Sequence, residues 1–136
     1  MSDDPGRESA RWLAQAEEEL ADAAELLKRR RFYLSLYLCQ QSAEKALKAF
    51  VYMKEEEPVF SHSVGHLLKL AASIDADFKA LSGAKRLDDY YIPTRYPNGL
   101  PGGIPAKYYD DPKEAKEALN WSSKVVRLCA RKIRRK

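Results

Sequence analysis

Leu13, Ala16, Leu20, Ala23 and Leu27 recur at alternating steps of three and four. That spacing draws one apolar stripe along an amphipathic helix, predicted from Ser9 to about Arg30. Trp12 and Leu26 widen the stripe, and Glu17, Glu18, Asp22 and Glu25 fall mostly on the other face. Residues 1–8 read as a flexible N-terminus. A second helix is predicted from Phe32 to Glu55. Its first half, Phe32 to Cys39, is apolar on nearly all sides, which calls for burial on all sides. A second copy of the chain is the natural cover. Its second half returns to a single stripe of Ala43, Ala46, Leu47 and Phe50, and Pro58 closes the region. Serines 61–63 can cap a third helix carrying Val64, Leu67, Leu68, Ala71 and Ile74. It continues from Asp77 to about Tyr91 through Phe78, Leu81, Ala84 and Leu87, with a kink or break expected at Asp75–Asp77 and Gly83.

Residues 92–111 break the pattern. They hold Pro93, Pro97, Pro101 and Pro105 with Gly99, Gly102 and Gly103, a density that predicts neither helix nor strand. Tyr90, Tyr91, Tyr96, Tyr108 and Tyr109 lie in or beside this segment. Disordered linkers are poor in aromatics, so the loop is expected to be at least partly pinned to the body. The last helix opens with Asp111 as N-cap, Pro112 at the first helical position and Glu114 in a capping-box-like place. Ala115, Ala118, Leu119, Ser122, Val125, Val126, Cys129 and Ile133 follow one face. The predicted fold is all-α: an antiparallel up-and-down four-helix bundle, with an additional short helix and a long Pro/Gly/Tyr-rich loop before the last helix. Residues 1–136 form one domain, with 131–136 as a basic tail.

Composition narrows the function classes. Apolar residues at 45% and charged residues at 32% make a globular mix with no run long enough to cross a membrane. Cys39 and Cys129 stand alone, so zinc and disulfide frameworks are not expected, and a reduced cytoplasmic setting is. Seven of the 24 bases fall within 124–136, leaving 17 against 20 acids elsewhere. Those cations either complement the last helix's macrodipole or offer a landing site to a polyanion such as RNA.

Three segments carry a family resemblance. They are Tyr37-Leu-Cys-Gln-Gln-Ser-Ala-Glu-Lys-Ala-Leu-Lys-Ala-Phe50, then Ser61-His62-Ser63-Val64 with Leu67-Leu68, and Leu87-Asp-Asp-Tyr-Tyr-Ile-Pro-Thr-Arg-Tyr-Pro97. Together, from about Arg11 to Arg131, they resemble the HEPN domain. The resemblance implies a helical bundle that forms a homodimer and is often paired with a minimal nucleotidyltransferase, as in toxin–antitoxin-like systems. Many HEPN proteins are metal-independent ribonucleases that use an Arg followed by four to six residues and a His. That motif is absent: Leu100, Pro101 and Gly102 stand where Arg95 would need a His, and no Arg precedes His62 or His66 at the required distance.

The residues then point to a non-catalytic nucleotide- or RNA-binding module. Arg95 can fork onto a phosphate and Tyr96 can stack on a base, with Tyr90 and Tyr91 nearby. Asp88 and Asp89 are candidates to orient Arg95. Lys45 and Lys48 share a helix face and form either a secondary basic surface or a solvated salt-bridged one. His62 reads as a capping or hydrogen-bonding group. His62 and His66 without a third ligand make an incomplete metal site, and no cofactor is expected. The alternatives are a ribonuclease or toxin lacking the usual motif, and a protein–protein adaptor.

Overall fold

A computed structural model describes residues 4–135. Helix α1 spans Pro5–Lys28, opened by Asp4, whose carboxylate accepts from the Gly6 N–H at 3.0 Å. The Asp-Pro pair is a strong start signal, so residues 5–8 are helical rather than the flexible end expected from the stripe alone. Residues 1–3 lie outside the described part. A tight connection with Arg30 in the left-handed region (φ 62°) leads to α2, Phe32–Glu55.

Helices α1 and α2 pack closely because their facing residues are small. Three serines fasten the seam. Ser9 donates to the Ala49 carbonyl, Ser42 to that of Ala16 and Ser35 to that of Ala23, the last two at 2.8 Å. Ser122 of the last helix donates to the Cys39 carbonyl at 2.7 Å in the same manner. Each buried hydroxyl is thereby satisfied.

Helix α3, Val64–Ile74, ends at Asp75, and the chain turns back there. The next segment, Ala76–Tyr90, is a 3-10 helix of 15 residues, capped by Asp75. Its far end returns to the start of α3, where Asp88 accepts from the Val64 and Gly65 N–H groups at 2.6 and 3.0 Å and from the Ser63 hydroxyl at 2.9 Å. The two pieces are therefore a hairpin and not one kinked rod. Phe78, Leu81, Ala84 and Leu87 sit three residues apart, which places them on one face of a three-per-turn helix. Phe78 meets Phe50 of α2 at 4.6 Å between ring centroids. Gly83 is not a break. A Cβ there would lie 2.5 Å from the Trp121 ring, so its bare Cα lets that indole seat.

The Pro/Gly-rich segment is more ordered than its composition predicted. It contains a 3-10 turn, Pro97–Gly99, and one helical turn, α4, Pro105–Tyr108, each opened by its proline. Tyr109 is buried, Tyr90 meets its ring edge-on at 6.1 Å, and the Tyr90 hydroxyl donates to Glu114 at 2.8 Å. Glu114 thus anchors the loop instead of completing a capping box. Helix α5, Pro112–Arg134, is capped by Asp111 through the Lys113 N–H at 2.9 Å. Residues 131–134 belong to it and are no free tail. Lys132 binds Asp75 and Asp77, and Arg134 forks onto Glu17 at 2.8 and 2.7 Å. Among the described residues there is no strand. The fold is a helical bundle in which α3 and the 3-10 segment together make the fourth layer.

Candidate functional site

The site is built where the end of the 3-10 segment, the loop before α3 and the middle of α2 meet. Past Tyr91 the chain makes a compact turn. Thr94 is buried and its hydroxyl donates to the Tyr90 carbonyl, while the Arg95 N–H reaches the Ile92 carbonyl at 3.0 Å. This turn places Arg95 against α2. Its Nε donates to the Tyr91 carbonyl at 2.8 Å. Its guanidinium carbon lies 4.9 Å from the Tyr37 ring centroid, 4.6 Å from that of Tyr91 and 5.1 Å from that of Tyr96. Three π faces hold one cation, an arrangement that fixes the guanidinium without neutralising it. No carboxylate pairs with Arg95 among the described residues. Burial raises the Tyr37 phenol above its usual range, and the Arg95 charge partly offsets that.

Asp88 and Asp89 do not orient Arg95. Asp88 is consumed at the N-terminus of α3, where its charge also meets the positive end of the helix dipole, and Asp89 is exposed. Tyr90 points away, toward Glu114, and is structural. Burial pushes the phenols of Tyr90 and Tyr109 above the normal range; for Tyr90 the hydrogen bond to Glu114 adds to this, and for Tyr109 the nearby Glu114 charge does.

Lys45 and Lys48 do not form a free basic surface. Lys48 is buried and pairs with Glu44 at 2.8 Å, with its ammonium 5.6 Å from the Trp12 ring centroid. Lys45 binds Glu19 at 3.1 Å and Gln41 at 3.0 Å. Glu44 is read from the sequence only as the i,i+4 partner of Lys48; its burial, with a side chain only 4% exposed, and its reach to His62 are what sequence reasoning missed. One carboxylate oxygen takes Lys48 and His62, and the other takes Gln40 and Gln41 at 3.2 and 3.4 Å. The Glu–Lys spacing of four gives the pair, and the signal for its burial was the apolar stretch around it.

His62 completes the group. Its Nδ1 lies 3.2 Å from Glu44 Oε2, and its ring stacks on Tyr91 at 5.2 Å and 16°. Its side chain stays 65% exposed. Gln40, fully buried, donates to the His62 carbonyl at 2.9 Å and fixes the loop that carries it. Thus Arg95 and His62, 33 positions apart, lie against the same tyrosine. His66, one turn on, contacts Ser61 and takes no part. Among the described residues no cluster of three His, Cys, Asp or Glu could hold a metal.

A model of the HEPN domain matches residues 9–133. The chain belongs to the HEPN domain family. Its fold is shared with TT1696 from Thermus thermophilus, at 34% identity and a TM-score of 0.78, covering 91% of this chain and 97% of that one. ST0689, an archaeal HEPN homologue, matches at 29% identity and a TM-score of 0.74, over 93% and 98% of the two chains. A HEPN domain protein from Thermotoga maritima matches at 24% identity and a TM-score of 0.70, over 93% and 99%, a likeness of fold. No curated protein sequence matches. Among the described residues of this HEPN chain no helix is long and apolar enough to cross a membrane. The apolar start of α2 is covered within one chain more fully than expected. Phe32, Leu36 and Cys39 are buried, Tyr33, Tyr37 and Leu38 are half-buried, and Leu34 is left 36% exposed.

Proposed function

We propose that this HEPN protein is a non-catalytic module that binds a phosphate-bearing ligand, a nucleotide or RNA, at Arg95 and Tyr96. The observation that carries the reading is Arg95 itself. Its Nε is anchored, its charge is uncompensated by any acid of the described residues, and its outer N–H groups are left to fork onto a phosphate. Tyr96, 49% exposed beside it, supplies a stacking face for a base. Homodimer formation and a nucleotidyltransferase partner, within a toxin–antitoxin-like or related system, are part of the proposal and rest on the family. Membership of the family also fits an adaptor role, in which the same loop would bind protein.

Calorimetric titration with nucleotides and short RNA tests it. A charge-assisted contact is worth about 1.5–3 kcal/mol, so Arg95→Ala should weaken binding roughly tenfold or more. No binding by the native protein at millimolar ligand overturns the proposal. Light scattering checks the dimer.

One observation favours a second reading, RNA cleavage. The usual motif is absent from the sequence, yet the fold brings His62, oriented by Glu44, to the tyrosine that Arg95 covers. His62 would accept the proton of a 2′-hydroxyl, whose oxygen attacks the adjacent phosphorus. The bond from phosphorus to the 5′-oxygen would break as that oxygen takes a proton from water, giving a 2′,3′-cyclic phosphate and a 5′-hydroxyl; His62 would then release its proton to solvent, and Arg95 would face the phosphorane charge. Cleavage in chelator that disappears in both His62→Ala and Arg95→Ala would select this reading over simple binding.

A further inference from the structure

The charge of the bundle is sharply divided between its helices. Helix α1 carries six acids against three bases, and α5 carries seven bases against two acids. Much of the α5 charge is not internally compensated. Lys132 and Arg134 are spent on Asp75, Asp77 and Glu17. Lys124, Arg127 and Arg131 are exposed and meet no acid among the described residues. Separated by three and four positions, they stand on one face of α5 and span about 10 Å at 1.5 Å per residue. They border a groove of about 510 Å³ between α5 and the start of the 3-10 segment. The one acid there, Asp77, is already held by Lys132 at 2.5 Å.

We infer that this α5 face is a docking surface for the phosphodiester backbone of a single-stranded nucleic acid. A solvated helix end accounts for cations in the last turn, but Lys124 and Arg127 lie before it. Protein partners are anchored by buried aromatic and aliphatic residues. Among the described residues the exposed large apolar side chains are Leu34, Phe60, Ile92, Tyr96, Ile104 and Tyr108, and α5 contributes none of them. A membrane-surface helix needs an apolar face to insert, and that of α5 is already buried in the core. What remains is a row of cations without hydrophobic anchors, which matches regularly spaced phosphates. The Arg95 reading would gain a specific ligand from this: a strand in place of a free nucleotide. The inference deepens that reading, although the two contacts can be tested apart.

The probe is a fluorescent oligouridylate of about 15 nucleotides, followed by anisotropy over a salt series. Each phosphate neutralised contributes roughly 0.7 to the slope of log K against log salt for a single strand. The triple variant Lys124→Gln, Arg127→Gln, Arg131→Gln alters only exposed positions, and its melting curve checks that it folds. It is expected to flatten the slope by about 2 and to weaken oligonucleotide binding at least tenfold at low salt, leaving uridine monophosphate binding unchanged. Native affinity and slope in the triple variant would overturn the inference, as would failure of the native protein to bind the oligonucleotide. Polyglutamate bound as tightly as the oligonucleotide through the same three residues would assign the face to an acidic protein and overturn it too. Arg95→Ala, run alongside, reports on the loop site alone, so loss of one contact is not mistaken for loss of the other.

Discussion

Glu44 is the residue whose removal should hurt this bundle most for its size. Its carboxylate and the Lys48 ammonium have side chains 4% and 10% exposed, and they meet at 2.8 Å. Truncating one partner of a buried pair leaves the other charge desolvated and alone, at a cost of about 3–5 kcal/mol. Gln40 and Gln41 each lose one acceptor but keep a shorter bond, to the His62 carbonyl and to Gln40 Oε1, so they add only a little to the penalty. One feature works the other way. Lys48 lines a cleft of about 410 Å³ beside Trp12 and Tyr52, so water can reach its ammonium once Glu44 is gone. The expected loss for Glu44→Ala is therefore near the lower end, about 3 kcal/mol. For a chain of this length that lowers Tm by roughly 10 °C, at about 2–4 °C per kcal/mol. Urea unfolding reads it directly, as a lower midpoint at unchanged slope. The double variant Glu44→Leu, Lys48→Met should recover much of the loss, because it removes the stranded charge instead of creating one. A Glu44→Ala penalty below about 1 kcal/mol would place the pair with ordinary surface salt bridges and refute the reasoning. So would a double variant no more stable than the single one.

Two other outcomes follow from packing. Gly83→Ala drives a Cβ to 2.5 Å from the Trp121 ring, and overpacking of this kind should cost about 1–3 kcal/mol, visible as a lower melting temperature and a shifted indole emission. Cys39 and Cys129 are buried and their thiols are pushed up, that of Cys39 to about 12. Both should ignore a disulfide thiol reagent at about pH 8 in the native protein and react in denaturant, since the thiolate is the nucleophile. Rapid native labelling of either would contradict the burial.

Helices α1 and α5 were legible because their faces are amphipathic over several turns, and α2 because an all-round apolar run from Phe32 passes into a single stripe that ends before Pro58. The 3-10 segment was legible only as helix. Phe78, Leu81, Ala84 and Leu87 repeat at a strict step of three, the period of a 3-10 helix, whereas an α-helix needs threes and fours. The short turns at Pro97 and Pro105 were hidden because composition speaks of a whole segment, while a proline at a first helical position acts locally. The serine fasteners between α1 and α2 were hidden for another reason. A serine on an apolar face looks like a defect until the opposing carbonyl is in place.

The site shows the same division between local and convergent information. Arg95 and Tyr96 could be singled out, because an Arg-Tyr pair in a proline-rich loop has a chemical use wherever it lies. The roles of Asp88, Tyr90, Lys45 and Lys48 could not, since each depends on a partner outside its own stretch of sequence or on burial: the N-terminus of α3, Glu114, Glu19 and a buried Glu44. A motif scan asks for Arg and His within one stretch and so returns nothing here. Yet His62 is carried on a loop fixed by Gln40, oriented by Glu44 and stacked on Tyr91, the residue whose carbonyl anchors Arg95. The pairing is a property of three elements meeting, with Tyr91 as the shared wall. Because Glu44 holds both Lys48 and His62, its charge serves stability and site geometry at once. Restoring stability through the Leu–Met pair at positions 44 and 48 therefore should not restore the His62 orientation, and comparing ligand binding in that double variant with the native protein separates the two roles.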